Sequence, residues 1–202
     1  KTSHQVFMSN KFVTVSYQRP NGGIWLGTTS GLYLFSGNEW ILKLTIGINC
    51  IAELTDGTLM VGGNSGLRMI RTEEASGNWK FQDNVGKLIV NVLKASDGTL
   101  WCISDAGIST YNGVNWTNHL PWDQPGIVDW KGLIYETKDG TVWFAYYSFK
   151  DRTPIRHEVG NSYYFVDETK DGDIWAGGAL GGGGGPFLYD GNTWTWVSGY
   201  GG

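Results

Sequence analysis

Asp97-Gly98-Thr99-Leu100-Trp101 is a turn dipeptide running into a short apolar strand that ends at a tryptophan. Ala106-Gly107-Ile108-Ser109-Thr110-Tyr111 supplies a second turn and another short strand, and Gly113-Val114-Asn115-Trp116 a Gly-rich turn closing on a second Trp. Asp-Gly between two apolar runs is a strong hairpin signal, because such a turn needs positive φ that Gly tolerates without steric cost. The same anchor recurs as Asn21-Gly22-Gly23-Ile24-Trp25, Asp56-Gly57-Thr58-Leu59-Met60, Asp139-Gly140-Thr141-Val142-Trp143 and Asp171-Gly172-Asp173-Ile174-Trp175. Successive anchors lie 35, 41, 42 and 32 residues apart.

Each copy follows one grammar. An alternating or apolar run precedes the turn, as in Phe12–Tyr17, Ile48–Leu54, Leu88–Leu93, Leu133–Tyr135 and Tyr163–Val166. A second strand follows it, a Gly turn opens a third (Gly31-Leu32-Tyr33, Gly66-Leu67-Arg68, Gly107-Ile108-Ser109), and a last turn leads to a Trp at 40, 79, 116 or 194. Four antiparallel strands per roughly 40 residues is the blade of a β-propeller. The sequence therefore predicts one all-β propeller domain over 1–202, with five blades at about 11–45, 46–83, 87–120, 126–160 and 161–198. Blade four is expected to be irregular. Gln5-Val6-Phe7-Met8 within residues 1–10 is expected to add a closing strand, and a segment of a longer propeller is the alternative.

Composition agrees. Gly, at 31 of 202 residues, is about twice its average usage, and 11 Trp is far above it, which suits short strands, tight turns and large rings between sheets. A net charge of -4 argues against a nucleic-acid partner, which calls for a basic face. No run approaches the roughly 18 apolar residues of a membrane span. The chain starts at Lys1 and is expected to be processed or trimmed. Cys50 and Cys102 sit in apolar strands and are expected to be buried free thiols, without a nearby His that would make either a nucleophile.

Trp25-Leu26-Gly27-Thr28-Thr29-Ser30-Gly31-Leu32, and less closely Asp97 to Ile108 with Ser104 in a Thr position, resemble the two-component-regulator propeller repeat of bacterial, especially Bacteroidetes-type, sensor and secreted proteins. The resemblance runs through all five copies. It implies a propeller scaffold and a secreted or periplasmic place. In the family's large members the propellers are the periplasmic ligand-sensing part of a membrane histidine kinase. The sequence given contains neither the span nor the kinase.

The Trp residues at 25, 101, 143 and 175, and at 40, 79, 116 and 194, occupy equivalent positions and are expected to pack between sheets. Glu53, Glu136 and Glu168 each stand three residues before a turn Asp, with Gln18 and Lys94 in the other two copies. Their recurrence favours acceptors for turn amides. The competing reading makes them channel carboxylates of a propeller glycoside hydrolase or polysaccharide lyase.

Function is expected where the repeat fails. Two insertions, the link 121–130 and the loop 146–153, are expected on the face opposite the Asp-Gly turns. They would gather Trp122, Asp123, Asp129, Trp130, Tyr147, Lys150, Asp151 and Arg152 as a binding rim. Aromatic faces stack on sugar rings, and Asp and Arg satisfy hydroxyls or a carboxylate. In the competing reading Trp122 and Trp130 plug a long loop. His157 beside Glu158, in the short remnant Pro154–Val159, is a weaker catalytic candidate. The Gly181–Gly185 run opens no helix and is no phosphate loop, and Asp167, Asp171 and Asp173 lack the spacing of a calcium loop. The expectation is a non-catalytic binding module without cofactor or metal, taking a glycan, another small polar ligand or a protein partner. An enzyme and a self-associating assembly protein are the alternatives.

Overall fold

The computed structural model describes residues 11–20, 22–71, 79–82, 85–121, 134–144, 147–157, 165–177 and 186–197. The strands among them form five four-stranded antiparallel sheets, each with its strands in chain order. Sheet one holds β1 (Val13–Gln18), β2 (Ile24–Thr28), β3 (Gly31–Ser36) and β4 (Glu39–Leu44). Sheet two holds β5 (Ile48–Glu53), β6 (Thr58–Gly63), β7 (Gly66–Arg71) and β8 (Lys80–Gln82). Sheet three holds β9 (Ile89–Lys94), β10 (Leu100–Ser104), β11 (Gly107–Tyr111) and β12 (Trp116–Pro121). Sheet four holds β13 (Ile134–Glu136), β14 (Val142–Phe144), β15 (Tyr147–Lys150) and β16 (Thr153–Arg156). Sheet five holds β17 (Phe165–Glu168), β18 (Ile174–Gly177), β19 (Pro186–Tyr189) and β20 (Trp194–Trp196).

The chain divides into two compact units, Lys1–Lys94 with Leu100–Trp122, and Ala95–Thr99 with Asp123–Gly202. In the first, Trp25, Leu32, Ile48, Ile51, Leu59, Val61 and Ile70 form the core between sheets one and two. Cys50, Met60, Leu67, Ile89, Val92, Leu100 and Cys102 lead a larger core between sheets two and three. The close approach of sheets explains the glycine that follows the Trp-Leu pair of the repeat. A Cβ on Gly27 would stand 2.8 Å from Ile48 Cγ2, and one on Gly62, the same place in the second copy, 2.4 Å from Ile89 Cγ2 and 2.7 Å from Cys50 Sγ, so Gly lets each Ile seat there. In the second unit the core is smaller among the described residues: Trp143, Val166, Ile174 and Ala176.

The Asp-Gly turns are hairpin turns, as expected, and the Gly carries the positive φ. Gly98 N donates to Ala95 O at 2.9 Å and Ala95 N to Thr99 O at 2.8 Å, and Gly98 holds φ +84° with open space where a Cβ would be. Asp97 is not in the left-handed region; its Oδ1 accepts from Thr99 N at 2.8 Å. The Asp thus works as a side-chain acceptor and the Gly carries the positive φ, the signature of a type I turn closed by a left-handed residue. Thr58 and Thr141 repeat the Asp contact.

Sheet four corrects two expectations. Of the stretch 146–153, the described residues 147–153 are not an insertion: Tyr147–Lys150 and Thr153–Arg156 are the sheet's third and fourth strands, paired Lys150↔Thr153 through Tyr147↔Arg156. The Pro154–Val159 remnant, read as too short for two strands and a turn, has to supply only most of one strand, giving Pro154, Ile155 and Arg156 to β16, because the third strand lies earlier, at Tyr147–Lys150. Pro is accepted there because β16 is an edge strand. Sheet four is therefore regular in strand count. Its oddity is the turn, where Asp151 (φ +50°) and Arg152 (φ +64°) both adopt the left-handed conformation. Gly37 and Asn38 (φ +59° and +75°) make the same turn in sheet one with residues suited to it.

Candidate functional site

The repeated carboxylates act between sheets. Glu136 accepts from Ser96 N at 2.8 Å and Ser96 Oγ at 2.7 Å, and Glu168 from Lys138 N at 2.8 Å. Ser96 and Lys138 each stand just before a turn Asp. In the first copy that place belongs to Pro20, which has no N–H, and Glu53 pairs instead with Arg19 Nη2 at 3.3 Å. Burial and then the Glu53 charge raise the Tyr17 hydroxyl above its ordinary pKa. The turn-amide reading of these Glu residues thus has a direct geometric basis at 136 and 168.

The two cysteines are buried free thiols. Burial pushes Cys50 up to about 12 and Cys102 well above its ordinary value, so both stay protonated and inert.

A second recurring device was not legible in the sequence. Met69, Thr110 and Ser148 stand at one position of the third strand, and each meets a polar residue from the end of its sheet. Gln82 Nε2 bonds Met69 Sδ at 2.8 Å, His119 Nε2 lies 2.8 Å from Thr110 Oγ1, and His157 Nε2 lies 2.8 Å from Ser148 Oγ. His119 stacks on Trp101 at 5.5 Å and His157 on Trp143 at 4.7 Å. The next sheet's Trp then donates its indole N–H: Trp116 to Gln82 Oε1 at 3.0 Å, and Trp194 to His157 Nδ1 at 3.4 Å.

This settles what the Ser148–His157 pair can do. With Nδ1 accepting from Trp194, the ring proton sits on Nε2 and is donated to Ser148 Oγ. A base that would activate the serine needs the opposite tautomer. Burial lowers the His157 pKa, which keeps the ring neutral. His157 is a packing residue, and a spacing of nine residues, shared by Thr110–His119 and Ser148–His157, was the available signal.

The expected binding rim does not come together as drawn. Ile134, Phe144, Tyr147 and Arg156 are register partners at one end of sheet four. Lys150, Asp151 and Arg152 are at the other, with the Asp139 turn. Lys150 Nζ is 2.7 Å from Asp139 Oδ2, and Arg152 Nη2 is 3.1 Å from Thr99 Oγ1 and 3.9 Å from Asp97 Oδ2. The Lys150 ammonium and the Thr137 hydroxyl hold the Asp139 carboxyl far below the usual carboxylate range. Trp122, Asp123, Asp129, Trp130, Tyr146, Glu158, Gly181–Gly185 and Gln5–Met8 lie outside the described residues.

Two clefts open beside the Asp-Gly turns, one in each unit. In the first unit a cleft of about 530 Å³ lies between sheets two and three, lined by Asp56, Thr58, Arg71, Lys80, Gln82 and Tyr111 among others. In the second a cleft of about 390 Å³ lies between sheets four and five, lined by Asp139, Trp143, Ser148, Lys150, Glu168 and Tyr189 among others.

No protein-family model and no curated protein sequence matches this chain. Its fold matches solved β-propellers. One is the extracellular domain of a hybrid two component system of B. thetaiotaomicron, at TM-score 0.60 and 16% identity over 82% of this chain. A second is virginiamycin B lyase from Staphylococcus aureus with quinupristin, at TM-score 0.61 and 10% identity over 98% of this chain and 73% of the lyase. A third is YCF48 bound to a D1 peptide, at TM-score 0.59 and 15% identity over 94% of this chain and 68% of that one. The chain spans only 26% of the first of these sensor domains and 34% of another from the same organism. Among the described residues no helix is long and apolar enough to cross a membrane.

Proposed function

We propose that this chain is a non-catalytic recognition domain of the β-propeller type, with the five sheets as its blades, acting outside the cytoplasm on a carbohydrate or other small polar ligand. The observation that carries the reading is the fate of the repeat's own polar groups. Asp56, Asp97, Asp139, Glu136, Glu168, Gln82 and His157 are engaged in bonds that hold turns and neighbouring sheets. The fold shared with sensor extracellular domains agrees with such a role.

The ligand surface belongs to the end of sheet four that holds Tyr147. β13 begins at that end with Ile134, and the sequence before it carries Trp122, Asp123, Asp129 and Trp130. Lys150, Asp151 and Arg152 are assigned instead to support of the turns. On a glycan array, Trp122→Ala, Trp130→Ala and Tyr147→Ala should abolish retention while leaving the melting temperature unchanged, and Lys150→Ala should retain binding. A matching fall in melting temperature would make Trp122 and Trp130 loop plugs and remove the assignment.

The lyase neighbour shares the fold, so an enzyme is the second reading, with Glu53, Glu136 or Glu168 as its carboxylates. Turnover of a polysaccharide that disappears in the Glu→Gln variants would establish it. YCF48 carries a peptide, which makes a peptide partner the remaining occupant to screen.

A further inference from the structure

The two clefts have the same place in their sheet pairs and differ in how their charges are paired. Lys150, the cation that lines the second cleft, is bonded to Asp139. In the first unit Arg71 and Lys80 enter the cleft without an ion-pair partner among the described residues, although the protein is acidic overall.

Strand register puts them on one face. Thr58 pairs with Arg71 and Met60 with Met69, and Met69 in turn pairs with Lys80. Side chains two apart on a strand share a face, and register partners share it across the sheet. Arg71, Met69 and Lys80 therefore all point the way Met60 and Met69 do, toward the core shared with sheet three. The result is a polar mouth of Arg71, Lys80 and Asp56 above an apolar floor of Leu54 and Met69, walled by Tyr111. The carboxyl of Asp56 is held ionised, first by the Thr58 amide and to a lesser degree by Arg71. Gln82 is fixed at the back by the Trp116 indole.

From this arrangement we infer that the first unit carries a binding cleft for a small organic anion, a carboxylate joined to a hydroxylated carbon skeleton. Arg71 grips the carboxylate, in the forked geometry that guanidinium groups offer to planar anions. Lys80 adds a second positive charge, and Asp56 accepts from a hydroxyl. The apolar floor covers carbon, which distinguishes such a ligand from an inorganic ion. A volume of about 530 Å³ suits a ligand of one or two rings.

The test is calorimetric titration of the whole chain with D-glucuronate, D-glucose and inorganic phosphate at one ionic strength. Glucuronate should bind at least about tenfold more tightly than glucose, as loss of a charge-assisted contact implies. Arg71→Gln with Lys80→Gln should reduce glucuronate affinity by about tenfold or more at unchanged melting temperature. Arg71→Lys alone should cost several-fold, because it keeps the charge and removes the fork. Equal binding of glucose, phosphate binding as tight as glucuronate, no binding of any of the three, or a double variant with intact affinity would each overturn the assignment. Because none of these residues belongs to the Tyr147 end of sheet four, the glycan-array variants should leave the titration unchanged.

Discussion

The junction of sheets two and three and the junction of sheets four and five solve one problem with different chemistry. In both, an indole N–H from the later sheet reaches a polar side chain on the outer strand side of the earlier one. In the first junction the acceptor is the Gln82 amide, which also bonds Met69. In the second it is the His157 ring, stacked on Trp143 and edge-on to Tyr189 and Trp194. The amide version rests on a broad aliphatic core. The imidazole version compensates for a narrow one by stacking aromatic rings, and it thereby makes the acceptor of the indole N–H a titratable group, which Gln82 is not.

The sharpest break in this comparison is Trp143→Ala. The ring is 4% exposed and contacts His157, Tyr189 and Trp194, so its removal should cost about 3–5 kcal/mol in chemical denaturation. A double-mutant cycle between Trp143 and His157 should show coupling of about 1 kcal/mol, and one between Trp101 and the half-buried His119 should show less.

Next in size is His157→Gln, which gives the second junction the chemistry of the first. Burial depresses the folded-state pKa of His157 from its ordinary 6.5, so the unfolded chain binds the proton more readily. The stability this ring contributes is complete above about pH 6.5 and is lost as pH falls through the depressed folded value. Melting curves from pH 8 to pH 5 should therefore fall more steeply for the native protein than for His157→Gln. Parallel curves would show that the ring does not titrate on unfolding.

The smallest effect concerns the turn of sheet four. Arg152→Gly relieves a left-handed side chain, a gain of about 1 kcal/mol, and forfeits an exposed contact near Asp97 worth less than about 1 kcal/mol. A slight rise in stability by urea titration is expected, and a clear loss would mean that the Thr99 contact dominates.

The turn also shows where sequence reading stopped. The Asp-Gly anchors are legible because Gly is needed at φ +84° or its equivalents, and a strand follows each of them. Asp151-Arg152 carries no such residue, so the stretch 146–153 reads as an insertion and Pro154–Val159 as too short for two strands and a turn. Lys150, Asp151 and Arg152 then fall on the face opposite the Asp-Gly turns, whereas the register puts them beside the Asp139 turn. The cleft with Arg71 and Lys80 is invisible in the sequence for another reason. Arg71, Lys80 and Asp56 come from three separate elements, and only the register that pairs Met69 with Lys80 brings them together.

Glu53, Glu136 and Glu168 point to a direction in the chain. Each reaches back 34, 40 or 30 residues, never forward, to the region just before a turn that was synthesised earlier. A newly made sheet therefore arrives with its own fastener and finds its anchorage already in place. A sheet added behind the last would need only the same carboxylate to join the stack, which gives lineages of such chains a ready means of changing length one repeat at a time.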